Sequence, residues 1–444
     1  MSGGGAWTGA AVAAVTAGYA LVSRRLSRTV VTASLAFTAC GVLIGPAGLD
    51  ILDLERDRGP VLTLVEAALT VVLFTDAMAV RGRDLHRGGF LPLRLLVIAL
   101  PLTIAAEWLL GRSLLPGLAG WQLALIAVIL APTDVAVSRT AMTNRRVPAL
   151  VRHGLNVEAG LNDGLVLPLF LLILAALPGT EASEEGVTGI LWRSLVLSTL
   201  LGLAVGGGGG RLLHLSRAAG WITREWSQVM PLAVAGAAYT LAHLTGGSGF
   251  IAAWAAGFAF AYFMRRGAAD EKAEDEPPLD FAENVAGLLT ALSFLVFGAV
   301  LLGPALQHLD WRIITYALLS VTVLRLVVVA LALAGSGLRM PTVAYVGWFG
   351  PRGLASLVLG LLVVEEHVPG AQLMGRVVAC TVALSILLHG MSAVWLSERY
   401  GDWYERAATE RPGLREGRPD SEVRAGPPEG SGGRAADGEE RPGD

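Results

Sequence analysis

Apolar runs near the roughly 20 residues that a helix needs to cross a bilayer recur about thirteen times along this chain and leave little of it for anything else. They fall at 6–22, 30–46, 61–80, 91–111, 121–142, 150–177, 190–214, 229–245, 248–264, 285–305, 312–334, 341–366 and 371–397. In hydrocarbon every backbone N–H and C=O must be satisfied internally, so runs of this length fold as helices. With 53% hydrophobic and 16% charged residues among 444, too little polar surface remains to cover a soluble globule. The expectation is an all-α polytopic membrane protein over residues 1–398.

Charge in the connections orients the runs. Arginines recur in the odd connections, at Arg24, Arg25 and Arg28, then Arg81, Arg83 and Arg87, Arg145 and Arg146, Arg217 and Arg224, Arg265 and Arg266, and Arg339. The connection between the sixth and seventh runs instead carries Glu181, Glu184 and Glu185. By the positive-inside rule the odd connections are cytoplasmic, which places the N-terminus outside and the C-terminus inside a plasma or inner membrane. Arg24 and Arg25 follow the first run rather than precede it, so it reads as a retained span and not a cleaved signal. From residue 399 to 444 the chain turns to Arg, Glu, Gly, Pro and Asp, a composition expected to form a disordered cytoplasmic tail, and 267–279 reads as a mobile acidic loop. A net charge of -3 gives no sign of nucleic-acid binding, and Cys40 and Cys380, far apart in apolar runs, read as small core residues; no cofactor is expected.

Against this background the stretch Asn156 to Gly164 is anomalous, because it sets Glu158 and Asp163 in a membrane helix. An ionised side chain at the bilayer centre costs about 2.5–3.5 kcal/mol by insertion scales. On a helix Glu158 lies over Asn162 and Ala159 over Asp163, while the two acids point about 140° apart and so address different neighbours. Glu158 is expected to meet a basic side chain on another helix, and Asp163 to face an aqueous cavity. Two further spans are interrupted, at Ala131-Pro132-Thr133-Asp134 and at Gly347-Trp348-Phe349-Gly350-Pro351-Arg352-Gly353. The breaks are seven spans apart, as two inverted six-helix repeats, spans one to six and eight to thirteen, would place them. Where broken helices cross, an acid is wanted at the positive ends and a base at the negative ends, which Asp134 and Arg352 can supply.

The runs "APTD", "EAGLNDG" and "GPRGLAS", in this order and on these spans, resemble the sodium/proton exchanger branch of the monovalent cation:proton antiporters, the NhaP-like proteins, over about residues 5 to 398. The resemblance implies a homodimer of protomers with about thirteen helices. In each protomer a core (91–177 and 312–397) moves against a dimerisation part (6–80 and 190–305). It implies that Asp163 binds the cation, most simply Na+, or the proton, with Asn162 beside it and oxygen ligands from Thr133 and Asp134. It pairs Glu158 with Arg325 and matches Arg352 to the family's Gly-x-Arg-Gly run. Asp76 falls near the acid that relatives carry in the third span and takes a supporting role. Ala159 stands where many relatives have serine, so one hydroxyl ligand is missing.

A proton and a hard cation both seek carboxylate oxygen, and competition for Asp163 gives exchange of one for the other. The expected function is therefore transport between membrane faces rather than catalysis, with Na+, Li+ or K+ and H+ as substrates. The alternatives are K+/H+ exchange, a cation channel using the same acids, and an intramembrane aspartyl enzyme with Asp134 and Asp163 as a dyad. Of the remaining polar residues, Glu66 and Glu107 read as span-end or interfacial acids, and His153 and His389 as structural histidines. The glycines from Gly206 to Gly210 read as a surface for close helix packing.

Overall fold

The structure, a computed structural model, describes residues 4–26, 29–52, 54–80, 90–177, 188–189, 191–267, 279–366, 368–411 and 413–417. Arg28, Arg81, Arg83, Arg87, the acidic connections at 178–187 and 268–278 and the tail from 418 lie outside the described residues. In chain order the helices are α1 (Gly4–Leu26), α2 (Ala33–Ile44), α3 (Leu54–Ala79), α4 (Phe90–Leu114), α5 (Gly120–Leu130), α6 (Val135–Thr143) and α7 (Ala149–Ala175). There follow α8 (Leu191–Ala218), α9 (Arg224–Leu244), α10 (Gly249–Gly267) and α11, which begins at Leu279 and runs on to Leu306. The last are α12 (Trp311–Ala332), α13 (Met340–Trp348), α14 (Leu354–Glu365) and α15 (Ala371–Glu410). No strand occurs among the described residues. Among the described residues seven helices, α3, α4, α7, α8, α11, α12 and α15, are long and apolar enough to cross a membrane. The expected count of about thirteen crossings goes beyond those seven.

Each expected interruption is a break between two helices. Pro132 has no N–H to return to the preceding turn, and α5 gives way to an extended stretch before α6. Gly350 and Pro351 separate α13 from α14 in the same way. The two extended stretches cross and are joined by a backbone hydrogen bond from the Asp134 N–H to the Pro351 carbonyl at 2.8 Å. Around the crossing α4 lies against α5, α6 against α7, and α15 against α12 and α14. A second group packs beside it, with α10 held between α8, α9 and α3, and α11 against α2 and α3. The groups meet where α7 touches α3 and α10, and where α3 touches α14.

The composition change near residue 400 does not end the ordered chain. The last turns of α15 keep an apolar stripe, and Tyr400 stacks on Tyr345 at 4.3 Å and on Trp403 at 5.5 Å. Arg146 in the turn before α7 binds Asp402 and Glu405. The chain then folds back as a 3-10 turn, Arg415–Gly417, that buries Glu416. The Glu416 carboxylate accepts the Arg339 N–H and the Thr342 hydroxyl, both at 2.9 Å, and so caps the start of α13. Arg415 lies over the Phe90 ring and donates to the Ser336 carbonyl. Residues 399–411 and 413–417, expected in the disordered tail, are therefore part of the folded chain.

Glycine allows α8 and α10 to pack backbone to backbone. Gly202, Gly206 and Gly210 follow one face of α8, and a Cβ on any of them would run into the backbone carbonyls of Ala252, Ala256 and Phe260 on α10. Gly208 faces open space. Gly206→Ala should therefore lower the melting temperature of the purified protein by the equivalent of about 1–3 kcal/mol of overpacking. Gly208→Ala should leave the melting temperature unchanged or raise it, since alanine is the better helix former.

Candidate functional site

Two groups of opposite charge organise the crossing. Asp134 accepts the Ala136 N–H at 2.6 Å and the Leu354 N–H at 2.7 Å, so one carboxylate caps the starts of both α6 and α14. Gly353 permits this, because a Cβ there would occupy the space of the Asp134 carboxylate. Arg352, wholly buried, donates to the Ala131 carbonyl at 2.6 Å and the Pro132 carbonyl at 3.4 Å, just past the end of α5. The Ser356 hydroxyl bonds the Ile129 carbonyl at 2.7 Å.

Arg352 Nη2 also donates to Glu107 at 3.3 Å, and this overturns the interfacial reading of that acid. Glu107 has no exposed surface and also accepts the Ser320 hydroxyl at 2.5 Å. A signal for it existed in the sequence, since Arg352 deep in a membrane span requires an anion and Glu107 was an unassigned acid within an apolar run. Ser320 and Arg325 both turn inward although five residues apart, a spacing that an α-helix splays by about 140°. A π-helical stretch, Ser320–Leu324, closes i to i+5 and brings them toward one face. Arg325 then donates to Glu158 at 2.6 Å, with both side chains buried.

Along α7 the acids diverge as helix geometry requires. Glu158 turns to Arg325, whereas Asp163 lines a cavity of about 390 Å³ with Asp76, Thr133, Asp134, Ala159 and Gly160. The Oδ1 atom of Asp163 has no hydrogen-bond partner in the structure. Asn162 is not in the cavity wall; its amide donates to the Thr133 hydroxyl at 2.8 Å and so fixes a residue that is. Asp76 approaches Gly160, where a Cβ would lie 3.5 Å from its own, which brings a third carboxylate from α3 to the same space. The cavity runs to the start of α7 and the end of α6, past Asn156, His153, Arg152 and Arg139, with Glu283 of α11 opposite. One residue past Asp163, the Trp254 indole of α10 sits so tightly on Gly164 that no Cβ would fit between them. Among the described residues no three Asp, Glu, His or Cys side chains stand close enough to hold one metal ion together. A cation at Asp163 would complete its shell from neutral oxygens, such as the Thr133 hydroxyl and water.

Glu66 lies on α3 with Tyr239, His243 and Glu365 around it. His389 is buried, its Nδ1 facing the Ser385 carbonyl at 2.9 Å, while the Ser385 hydroxyl accepts the Arg352 N–H. Cys40 and Cys380 are unpaired thiols, each half-buried.

Comparison with known proteins adds a family and a fold. The family described as "Sodium/hydrogen exchanger, transmembrane" matches residues 11–399. A "Probable Na(+)/H(+) antiporter" of Schizosaccharomyces pombe is 25% identical over 396 residues, covering 80% of this chain and 51% of the relative. The K+/H+ antiporter NhaP2 of Shewanella sp. (strain ANA-3) is 24% identical over 397 residues, covering 86% of this chain and 65% of the relative. The chain thus spans about half to two thirds of the length of these relatives. The structure of the sodium proton antiporter MjNhaP1 from Methanocaldococcus jannaschii superposes with a TM-score of 0.71 at 20% identity, covering 89% of this chain and 98% of that one.

Removing one member of a buried ion pair leaves the other uncompensated, at a cost of about 3–5 kcal/mol. Arg325→Ala should therefore melt well below the parent in a thermal unfolding scan, and Glu107→Ala likewise because Arg352 loses its anion. A variant that melted with the parent would show its pair to be dispensable.

Proposed function

This chain belongs to the sodium/hydrogen exchanger family, and on that premise we propose that it exchanges a monovalent cation, Na+ in the first reading, for a proton by alternating access at Asp163. What supports the reading is the charge inventory of the helices around the crossing. Glu158 has Arg325, Glu107 has Arg352, and Asp134 has two helix starts. Asp163 lines the cavity and keeps a buried oxygen, Oδ1, without a partner, with the Asp76 carboxylate in the same space.

Coupling follows from that difference. With a proton or a monovalent cation on Asp163 the site is neutral, and with neither it carries a charge that is costly to move through hydrocarbon. The loaded forms shuttle and the empty form does not, so one proton exchanges for one cation without net charge movement. Thr133, held by Asn162, and the nearby Asp134 and Asp76 tune the oxygen field at the site. Helices α4–α7 and α12–α15 form the moving core, and α1–α3 with α8–α11 the frame through which two copies form a homodimer. The protein crosses the plasma or inner membrane about thirteen times, with the N-terminus outside and the arginine-rich connections inside. The cavity, which reaches the start of α7, then faces the cytoplasm.

K+ is the second reading, because the Shewanella relative carries that name and because Ala159 offers no hydroxyl to the site. The deciding experiment is proton flux in liposomes that enclose a pH dye, with Na+, Li+ and K+ added in turn. Cation-driven flux is expected from the parent protein and not from Asp163→Asn, with the variant still folded by thermal melt. Exchange retained in Asp163→Asn would remove the site assignment, and K+-driven flux exceeding that with Na+ would select the second reading.

A further inference from the structure

Two pairs of opposite charge face each other across the crevice between the helix groups, one at each end. At the end away from the cavity, Arg58 near the start of α3 reaches Glu365 at the end of α14, with 3.4 Å between Nη2 and Oε1. At the cavity mouth, Arg139 of α6 and Glu283 of α11 line the same space from opposite walls. Arg139 is the cation whose field acts on Glu283. Yet no ion pair within 4 Å joins them among the described residues, so one pair is made and the other is apart.

The two inverted repeats expected from the sequence relate the elements that carry the two pairs. They map the third span onto the tenth, which are α3 and α11, and the fifth onto the twelfth, whose second halves are α6 and α14. Arg58 directly follows the kink at Asp57 near the start of α3, and Glu283 lies near the start of α11. Their partners, Glu365 and Arg139, lie on the second halves of the two broken spans. The polarity is exchanged, a base on the third span meeting an acid on the twelfth, and an acid on the tenth facing a base on the fifth. A rigid-body shift of one helix group past the other that closes one end of such a crevice opens the other.

We propose that Arg58–Glu365 and Arg139–Glu283 are alternating latches: the first holds the arrangement in which the cavity is open, and the second forms when Asp163 faces the opposite side. The inference rests on alternating access at Asp163. Neither pair touches the ion; each positions the core by favouring one end state, and a contact present in only one state shifts the population by its own free energy. The Arg58 and Glu365 side chains are 49% and 36% exposed, so the shift is modest, up to about fivefold in population. That size suits an element that must release in every cycle.

The test reads cavity exposure directly. Gly287 lines the cavity, and a Cβ there meets nothing within 4 Å, so Gly287→Cys places a thiol in open space. With Cys40 and Cys380 replaced by alanine, the purified full chain is labelled with a polar maleimide and the rate is followed. Glu365→Arg, which sets two guanidiniums against each other, should slow labelling by up to about fivefold, with Glu365→Gln intermediate. The exchanged pair Arg58→Glu with Glu365→Arg should restore the parental rate. Adding Arg139→Glu to Glu365→Arg should also bring the rate back, since the opposite latch is then lost too. Unchanged labelling in Glu365→Arg, or a rate that the exchanged pair fails to restore, overturns the proposal. Labelling needs no flux, so a parent without cation-driven proton flux would remove the transport reading separately.

Discussion

Charge pairing in a low-dielectric layer is the constraint on which this structure depends. Two interrupted helices meet in the middle of the protein and bring four unsatisfied helix ends together, an arrangement that hydrocarbon does not tolerate by itself. Asp134 satisfies two starting ends at once, and Arg352 satisfies the carbonyls just past one finishing end. Arg352 in turn brings in Glu107 from α4, which holds Ser320 of α12, and five residues on Arg325 holds Glu158 of α7. Helices α4, α7 and α12 are thereby tied to the crossing by charges that cannot leave without stranding another.

The same logic makes Asp163 distinctive. Its helix carries one acid committed to structure and one facing a cavity, and the step of five residues between them separates the two environments. Asn162, between them in sequence, turns toward Thr133 rather than into the cavity. The family motif therefore reads as three adjacent tasks on successive helix faces: hold the fold, hold the neighbour's hydroxyl, and leave an oxygen open.

Much of this was legible in the sequence because hydrocarbon leaves few choices. Long apolar runs had to be helices, Pro132 and Pro351 had to interrupt theirs, and Glu158 and Asp163 had to part company. Glu107 was misread because it carries no motif and its partner lies 245 positions away. A requirement of neutrality across the whole layer, rather than a local pattern, points to it. The π-helical stretch before Arg325 was invisible to a reading based on a fixed helical period. The end of the ordered chain was misjudged for a different reason. Composition averages over 399–417 are polar, but Tyr400 and Trp403 form a stripe that packs, and Glu416 is buried by what it caps rather than by its own hydropathy.

That cap gives the segment that follows α15 a mechanical connection to the membrane helices. Glu416 grips the free end of α13, whose other end leads directly into the crossing at Gly350 and Arg352, and Arg415 grips the start of α4. A displacement of the 415–417 turn is therefore delivered to the half-helix that leads into the buried arginine, not to a loose membrane exit. A chain trimmed at residue 398, where the composition changes, would keep every membrane-crossing run and still lose this handle on the broken helix.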